Sequence, residues 1–528
     1  MTIDVLRYIV LFCIAVVSFA VYRRRLSSRS NPRGLPGPPG PKPIPFLGNI
    51  HQLPPKGLWL KTFEWSAKYG DIIRLSVFGK TIIVLSSYET ASELLDGRGA
   101  IYSDRPSLPL LNEYAGWNTF LLTMRYGERS ILRRRMLSQF FNPSAVKNYH
   151  GLVTERARIL ALQTSEEPSK FQTFNRMNIG ASTMMMTYGH KVTGETDNWV
   201  KDAEAAVRSL TAMGTLGSHP IDIFPILGRL PFRIWGASFV KKMENLRLGA
   251  YNLGLKPHMF TKEQVRKGNA YPSITSTLIE AQLQADGSVK DEEAIYSASG
   301  SLYLAAADTT VSSIDTFVLS MMVNPSVQKK AQQELDRLLK GQRLPTLEDR
   351  NSLPYLNAAW FPNLIFVGAR WQPVGPLGFP HALTKDDEYR GMFLPAGAMV
   401  IADIWTMCHN PRDFPEPSKF DPDRYLSYRD NIPTLRADVR DPEKIIFGFG
   451  RRICLGRDLG LATLWITMAT LLAVFDISIP LDSNGQPVMP DLEYVEETVN
   501  HPKPFQCDFT PRSDAMLALI REVLAGAE

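Results

Sequence analysis

Apolar positions dominate the first part of the chain and then fall into periodic patterns. Val5 to Tyr22 reads VLRYIVLFCIAVVSFAVY, with only Arg7 interrupting it near one end. As a helix these residues span about 27 Å, close to the thickness of an endoplasmic-reticulum bilayer, and Arg7 can snorkel to its edge. Leu35-Pro36-Gly37-Pro38-Pro39-Gly40-Pro41 follows. Its rings and missing N–H groups forbid helix and predict a stiff extended spacer. Residues 58–70 predict a helix ending at Gly70. Ile72–Leu75 and Thr81–Leu85 predict a hairpin around Phe78-Gly79-Lys80. Helical patterns prevail from about 87 to 340, with loops near 103–119 and 214–236. The longest helical run goes from Glu292 to Val323 and is closed by Asn324-Pro325. After 370, short strands and proline-rich coil lead to a helix at about 456–473. No internal repeat is present. The pattern predicts a mainly α chain with a small β part. Its organisation is a membrane anchor with basic flank (1–34), a proline-rich hinge (35–41) and one body (42–528).

Charge sharpens this picture. The net charge is +6, yet Arg7, Arg23, Arg24, Arg25, Arg29 and Arg33 against Asp4 place all but one unit of it in residues 1–34. A near-neutral body argues against a nucleic-acid partner. A basic flank directly after an apolar run fits a tail beside anionic lipid, with the body in the cytosol. No A-x-A-like site follows the run, so an anchor is favoured over a cleaved signal peptide. With 44% apolar and 21% charged residues, disorder, collagen and coiled coil are excluded. The loop Ile221-Asp222-Ile223-Phe224-Pro225-Ile226-Leu227 and Leu230-Pro231-Phe232-Arg233-Ile234-Trp235 is unusually apolar. It either dips into the membrane or packs on the core.

Two segments carry chemistry. Cys13, Cys408, Cys454 and Cys507 show no CxxC spacing, so a zinc site or disulfide framework is improbable. Cys454 lies in Phe447-Gly448-Phe449-Gly450-Arg451-Arg452-Ile453-Cys454-Leu455-Gly456, an FxxGxRxCxG pattern just before an apolar helix. Chance gives that pattern with odds on the order of 10⁻⁴. Glycines let the backbone turn and approach a flat ligand closely. Backbone N–H groups, the helix N-terminus and nearby arginines can hold the sulfur as thiolate. A buried structural cysteine is the rival reading. A phosphate loop is excluded by the absent GK[ST] ending. The second segment is Ala305-Ala306-Ala307-Asp308-Thr309-Thr310, inside the longest helical run. Three alanines leave room for a ligand face, and Asp308 and Thr309 offer a carboxylate and a hydroxyl to relay protons. The rival here is a solvated Asp and a back-bonded Thr.

With these residues the chain resembles the cytochrome P-450 family, the haem-thiolate monooxygenases, over nearly its whole length. It looks most like membrane-bound fungal members that oxidise secondary metabolites or foreign compounds. The resemblance implies the P-450 fold, a large helical domain plus a small β-rich region. It implies haem with Cys454 as axial thiolate, which favours O–O cleavage. The cofactor contacts it implies are Phe447, Gly456 and, on the propionates, Arg134, His381 and Arg452; Asp308 and Thr309 are the catalytic pair. Leu108, Leu110, Phe120, Leu121, Val374, Leu377 and Phe379 lie where the family lines its pocket and favour an apolar small-molecule substrate. No strand–GxGxxG–helix unit occurs, so electrons come from a separate NADPH-dependent flavoprotein reductase, with a cytochrome b-type protein as a second donor. Lys444, Arg451, Arg457 and the basic helix near Arg133 are candidates for its docking face. Localisation follows as a single-pass endoplasmic-reticulum membrane protein facing the cytosol. A reductase-independent isomerase and a non-catalytic homologue are the competing functions.

Two positions depart from the family. Ser130 stands where WxxxR has its Trp, leaving Arg134 as the propionate donor on that helix. Val367 stands three residues before Arg370, where ExxR has its Glu, and no acidic residue occurs from Asn351 to Lys385. Arg424 in Phe420-Asp421-Pro422-Asp423-Arg424-Tyr425 resembles the second arginine that this Glu serves. Either residues 359–369 come from a mis-drawn exon boundary or the chain holds haem poorly. The intact flanks favour the first.

Overall fold

The computed structural model describes residues 31–194, 197–211, 219–360, 370–429, 432–495 and 498–526. The expected anchor at Val5–Tyr22 and Val367 lie outside them. Among the described residues helix dominates: α1 (Leu58–Tyr69), α2 (Glu128–Ser138), α3 (His150–Glu166), α4 (Phe171–Tyr188), α5 (Asn198–Thr211), α6 (Ala237–Leu253), α7 (Glu292–Val323), α8 (Pro325–Leu339) and α9 (Arg457–Val474), with further helices at Leu255–Arg266 and Asp514–Ala525 and shorter turns elsewhere. α7 has the predicted bounds, because Asn324-Pro325 both stops it and starts α8. α1 stops at Gly70, whose φ of 91° only glycine adopts comfortably.

The β part is small. β1 (Ile72–Val77) and β2 (Lys80–Leu85) form the predicted antiparallel hairpin, with Phe78 and Gly79 both at positive φ in the turn. β3 (His381–Ala382) and β4 (Met399–Ala402) complete the sheet in the order β1-β2-β4-β3, with β2 and β4 parallel. α7 runs through the centre, packed against α2, α4 and α9, while α3 covers α4 and α9. α9 is long and apolar enough to cross a membrane, but 83% of it is buried inside the protein, so it is a core helix.

The proline-rich stretch is not a free spacer. Pro36 accepts from Phe393 N at 2.8 Å and Pro39 from Arg74 N at 2.9 Å. The Asn49 side chain donates to the Pro41 carbonyl at 2.9 Å. An extended chain leaves its carbonyls free, and here Pro39 satisfies one N–H on the outer edge of β1 while Pro36 reaches the separate strand Met392–Leu394. A Cβ at Gly40 would lie 2.1 Å from the Arg74 carbonyl, so glycine is required there. The 214–236 region, expected as loop, contains helical turns at Pro220–Ile223, Pro225–Arg229 and Phe232–Trp235.

Candidate functional site

Cys454 sits three residues before the first residue of α9, on a loop whose shape comes from its glycines. Gly448 and Gly450 have positive φ, and a Cβ at Gly450 would stand 2.1 Å from the Leu95 carbonyl. Cys454 N donates to the Phe447 carbonyl at 2.9 Å, closing the loop. The thiol is accessible yet surrounded by protein, which is the position of a group on an internal wall. Burial pushes its pKa up, while the Gly456 N–H and the charges of Arg134 and Arg457 pull towards the thiolate. Cys408 is buried in the core, its pKa pushed up to about 12 by burial, and Cys507 lies elsewhere.

α7 supplies an accessible stretch. From Ser297 to Met322 every residue is buried except Ala305, Ala306, Ala307, Thr309 and Thr310. An opening midway along a buried helix is the wall of an interior cleft, and small side chains make it flat. The Thr309 hydroxyl donates to the Ala305 carbonyl at 2.8 Å, so Thr309 is back-bonded. Asp308 is not solvated. It is buried, 3.2 Å from an Arg176 Nη1 on α4 and 3.1 Å from His501 Nε2. Burial alone would raise its pKa, but His501 and Arg176 hold it below the usual carboxylate value.

Three guanidinium groups and a histidine cluster beside the thiolate loop. Arg452 donates through Nε to Ser103 O at 2.8 Å and through Nη2 to Met124 O at 2.7 Å. Arg134 Nη2 donates to Ile453 O at 2.9 Å. Arg105 is buried; its Nη1 donates to Phe379 O and Pro380 O, both at 2.8 Å, and its Nε has no partner. Burial, then the charges of Arg452 and Arg134, push Arg105 down to about 9. His381 Nδ1 is 2.8 Å from the Tyr102 carbonyl, and burial followed by Arg105 pushes its pKa down to about 3. It is therefore neutral, with Nδ1–H donating. Asp104, the acid beside this cluster, is bound to Arg125 Nε at 2.7 Å. Among the described residues none of the three guanidinium groups has a carboxylate partner within ion-pair distance, so together they form a site for an anion.

The structure brings Arg134, His381 and Arg452 together, as sequence reasoning expects, and adds Arg105. Asp104-Arg105-Pro106 carries no local signal for that role. Arg176 and His501 were equally invisible, since only the fold brings them to Asp308. Ser130 is fully buried and spent locally: its Oγ donates to Gly127 O at 2.9 Å and accepts from Gly127 N at 3.1 Å, capping α2. Arg133 is corrected. It is buried, donating to Ser297 Oγ at 2.7 Å and Glu293 Oε2 at 2.5 Å, and cannot belong to a docking face. Leu108, Leu110 and Phe120 are buried in one apolar cluster with Trp117 and Tyr303, and Ala307 from the accessible turn of α7 packs against it. Leu121, Val374, Leu377 and Phe379 keep partial exposure.

The Cytochrome P450 family model matches residues 38–509. Among curated proteins, the chain is 36% identical over 488 residues to Cytochrome P450 monooxygenase claR of Ampulloclitocybe clavipes, covering 92% of this chain and 88% of that protein. It is 37% identical over 500 residues to Cytochrome P450 monooxygenase 208 of Postia placenta, covering 94% and 93%. It is 36% identical over 512 residues to tryptamine 4-monooxygenase of Psilocybe cyanescens, covering 96% and 99%.

Proposed function

This chain belongs to the cytochrome P450 family and is a haem-dependent, cysteine-thiolate monooxygenase, and on that premise we propose which of its residues do the work. Cys454 would supply the thiolate that holds the haem iron, and Phe447 and Gly456 shape the loop around it. Arg105, Arg134, Arg452 and neutral His381 would hold the two propionates, and the small side chains of Ala305–Ala307 would leave room for the cofactor and substrate. The residues fit the cofactor on one observation above all: a buried guanidinium cluster with an orphaned Arg105 Nε beside a thiol at the start of a core helix. When bound, a haem with a thiolate ligand supplies cleavage of dioxygen, so that one oxygen atom enters the substrate. Asp308 and Thr309 hold and pass the protons this needs at the accessible turn of α7. Val374, Leu377 and Phe379 present an apolar wall and favour an apolar substrate.

Electrons come from a separate NADPH-dependent flavoprotein reductase, with a cytochrome b-type protein as a second donor. Exposed Lys444, Arg451 and Arg135, with Arg457 partly neutralised by Asp458 at 3.0 Å, support a basic docking face on the thiolate side. Residues 1–34 anchor the protein in the endoplasmic-reticulum membrane with the body in the cytosol, and the exposed side chains of the 224–234 loop support contact with lipid.

The reduced, carbon-monoxide-bound difference spectrum tests the assignment. A thiolate-type Soret band is expected, and Cys454→Ala should abolish it; a band that survives the substitution removes Cys454 as ligand. Lys444→Glu should slow reduction by the reductase without changing that band, and an equal rate would remove the docking face.

A further inference from the structure

Asp308 belongs to a buried polar array that spans three separate parts of the chain. Asp308 and Asp315 are seven residues apart on α7, two turns along the same face. From α4, Arg176 reaches Asp308 at 3.2 Å and Asn175 reaches Asp315 at 2.8 Å. From the strand His501–Pro502, His501 Nε2 stands 3.1 Å from Asp308 Oδ1, and its Nδ1 is buried without a protein partner. The strand is held from both sides. The Ser312 hydroxyl donates to the Asn500 carbonyl, and Asn500 N donates to the Val374 carbonyl at 2.8 Å. Thus the segment carrying His501 is tied to α7 and to the Val374 segment proposed to face substrate.

We propose that His501 is a positioning residue for Asp308: with Arg176 it clamps the carboxylate on the flank of α7 and governs how often that carboxylate turns towards Thr309 and the cleft. The proposal deepens, and rests on, the relay role given to Asp308. Arg176 alone does not set the geometry, because its guanidinium comes from the long, partly exposed side chain of another helix. The imidazole is shorter, stiffer and fixed by the two backbone bonds of Asn500. Asp315 is buried on the same face, and its Oδ1 is already engaged by Asn175 from α4. Tyr494, whose hydroxyl meets Thr316 Oγ1 at 3.2 Å, closes the far end.

The test uses the full-length haem protein with its reductase and no added substrate. It measures how consumed dioxygen divides between hydrogen peroxide and water, a division that depends on proton delivery. His501→Phe and Asp308→Asn are each expected to raise the peroxide share by at least about threefold, and the double variant should not exceed the larger single effect. His501→Gln keeps a side-chain N–H towards Asp308 and should return near the parent, which a purely structural role would not predict. Thermal unfolding gives a second readout: the two substitutions should lower the midpoint non-additively. An unchanged peroxide share in His501→Phe beside a raised one in Asp308→Asn overturns the clamp and leaves the relay standing. A silent Asp308→Asn overturns the relay and the clamp with it, and additive midpoints also overturn the clamp.

Discussion

Arg370 and Arg424 carry the sharpest residue-scale tension in the molecule. Arg370 is fully buried; its Nη1 donates to Cys408 O at 3.0 Å and Pro417 O at 2.7 Å, and its Nη2 to Lys419 O at 3.3 Å. Arg424 donates to the Glu416 carbonyl at 3.0 Å and shares the Lys419 carbonyl at 3.4 Å. Both Nε atoms are buried without a partner among the described residues. Burial, and then the neighbouring Arg424, press the Arg370 pKa down. Two guanidinium groups sharing neutral acceptors have the form of an ion pair whose carboxylate is gone. Losing one partner of a buried pair costs about 3–5 kcal/mol, a large part of the ~5–15 kcal/mol that holds a domain together. The transcript across Tyr355–Pro373 is therefore expected to encode a shorter stretch with a glutamate three residues before Arg370. Sequencing that yields residues 359–369 unchanged would remove the mis-drawn boundary. The low haem content that the unpaired arginines imply would then be measurable as a haem-to-protein ratio well below one.

At the scale of elements, the proline-rich stretch docks on the body, through Pro39 on β1 and Pro36 on the strand Met392–Leu394, and this can be checked at one atom. Gly40→Ala forces a methyl to within 2.1 Å of the Arg74 carbonyl, so the segment must lift away and release the Pro39 and Pro36 acceptors. Overpacking of this kind costs about 1–3 kcal/mol. Thermal unfolding of Gly40→Ala should show that loss, and an unchanged midpoint would show that the segment is not docked. The example separates what was legible in the sequence from what was not. The β1–β2 hairpin, both ends of α7 and the thiolate loop were readable because period, glycine punctuation and the Asn324-Pro325 stop are local signals. The docking of residues 36–41 was not, because proline forbids helix without saying which edge will take the freed carbonyls. Ser130 looked like a lost donor, but its neighbour Gly127 makes it a helix cap. Arg105, Arg176 and His501 have no signature at all; each gains its role from an element remote in the chain.

At the scale of the whole molecule, one face of the described residues gathers large exposed apolar side chains from distant stretches. Phe46, Ile226 and Ile234 are 68%, 61% and 63% exposed, with Leu47, Phe224 and Leu230 open beside them. These come from two distant stretches, and the β1–β2 turn joins them: Phe78 N donates to Leu47 O at 3.3 Å, and the Phe78 ring meets the Phe224 ring edge-on at 5.4 Å. The Lys80 ammonium fixes the arrangement by donating to the Asp222 carbonyl at 2.5 Å. Soluble surfaces rarely keep so many large apolar side chains together, and a lipid surface would cover them without any specific contact. If residues 1–34 also anchor the chain, they mask this contribution, so the face has to be read without them. A chain of residues 35–528 should still sediment with anionic lipid vesicles, and Phe224→Ser, Ile226→Ser and Ile234→Ser together should weaken that binding. Each of these side chains is worth about 1.5–3 kcal/mol when fully taken from water. Even partial insertion should then shift the vesicle partition at least about tenfold, since about 1.4 kcal/mol is one decade. The carbon-monoxide spectrum should not change, because none of the three touches the thiolate loop or α7. Equal partition of the two forms would assign the face to something other than lipid.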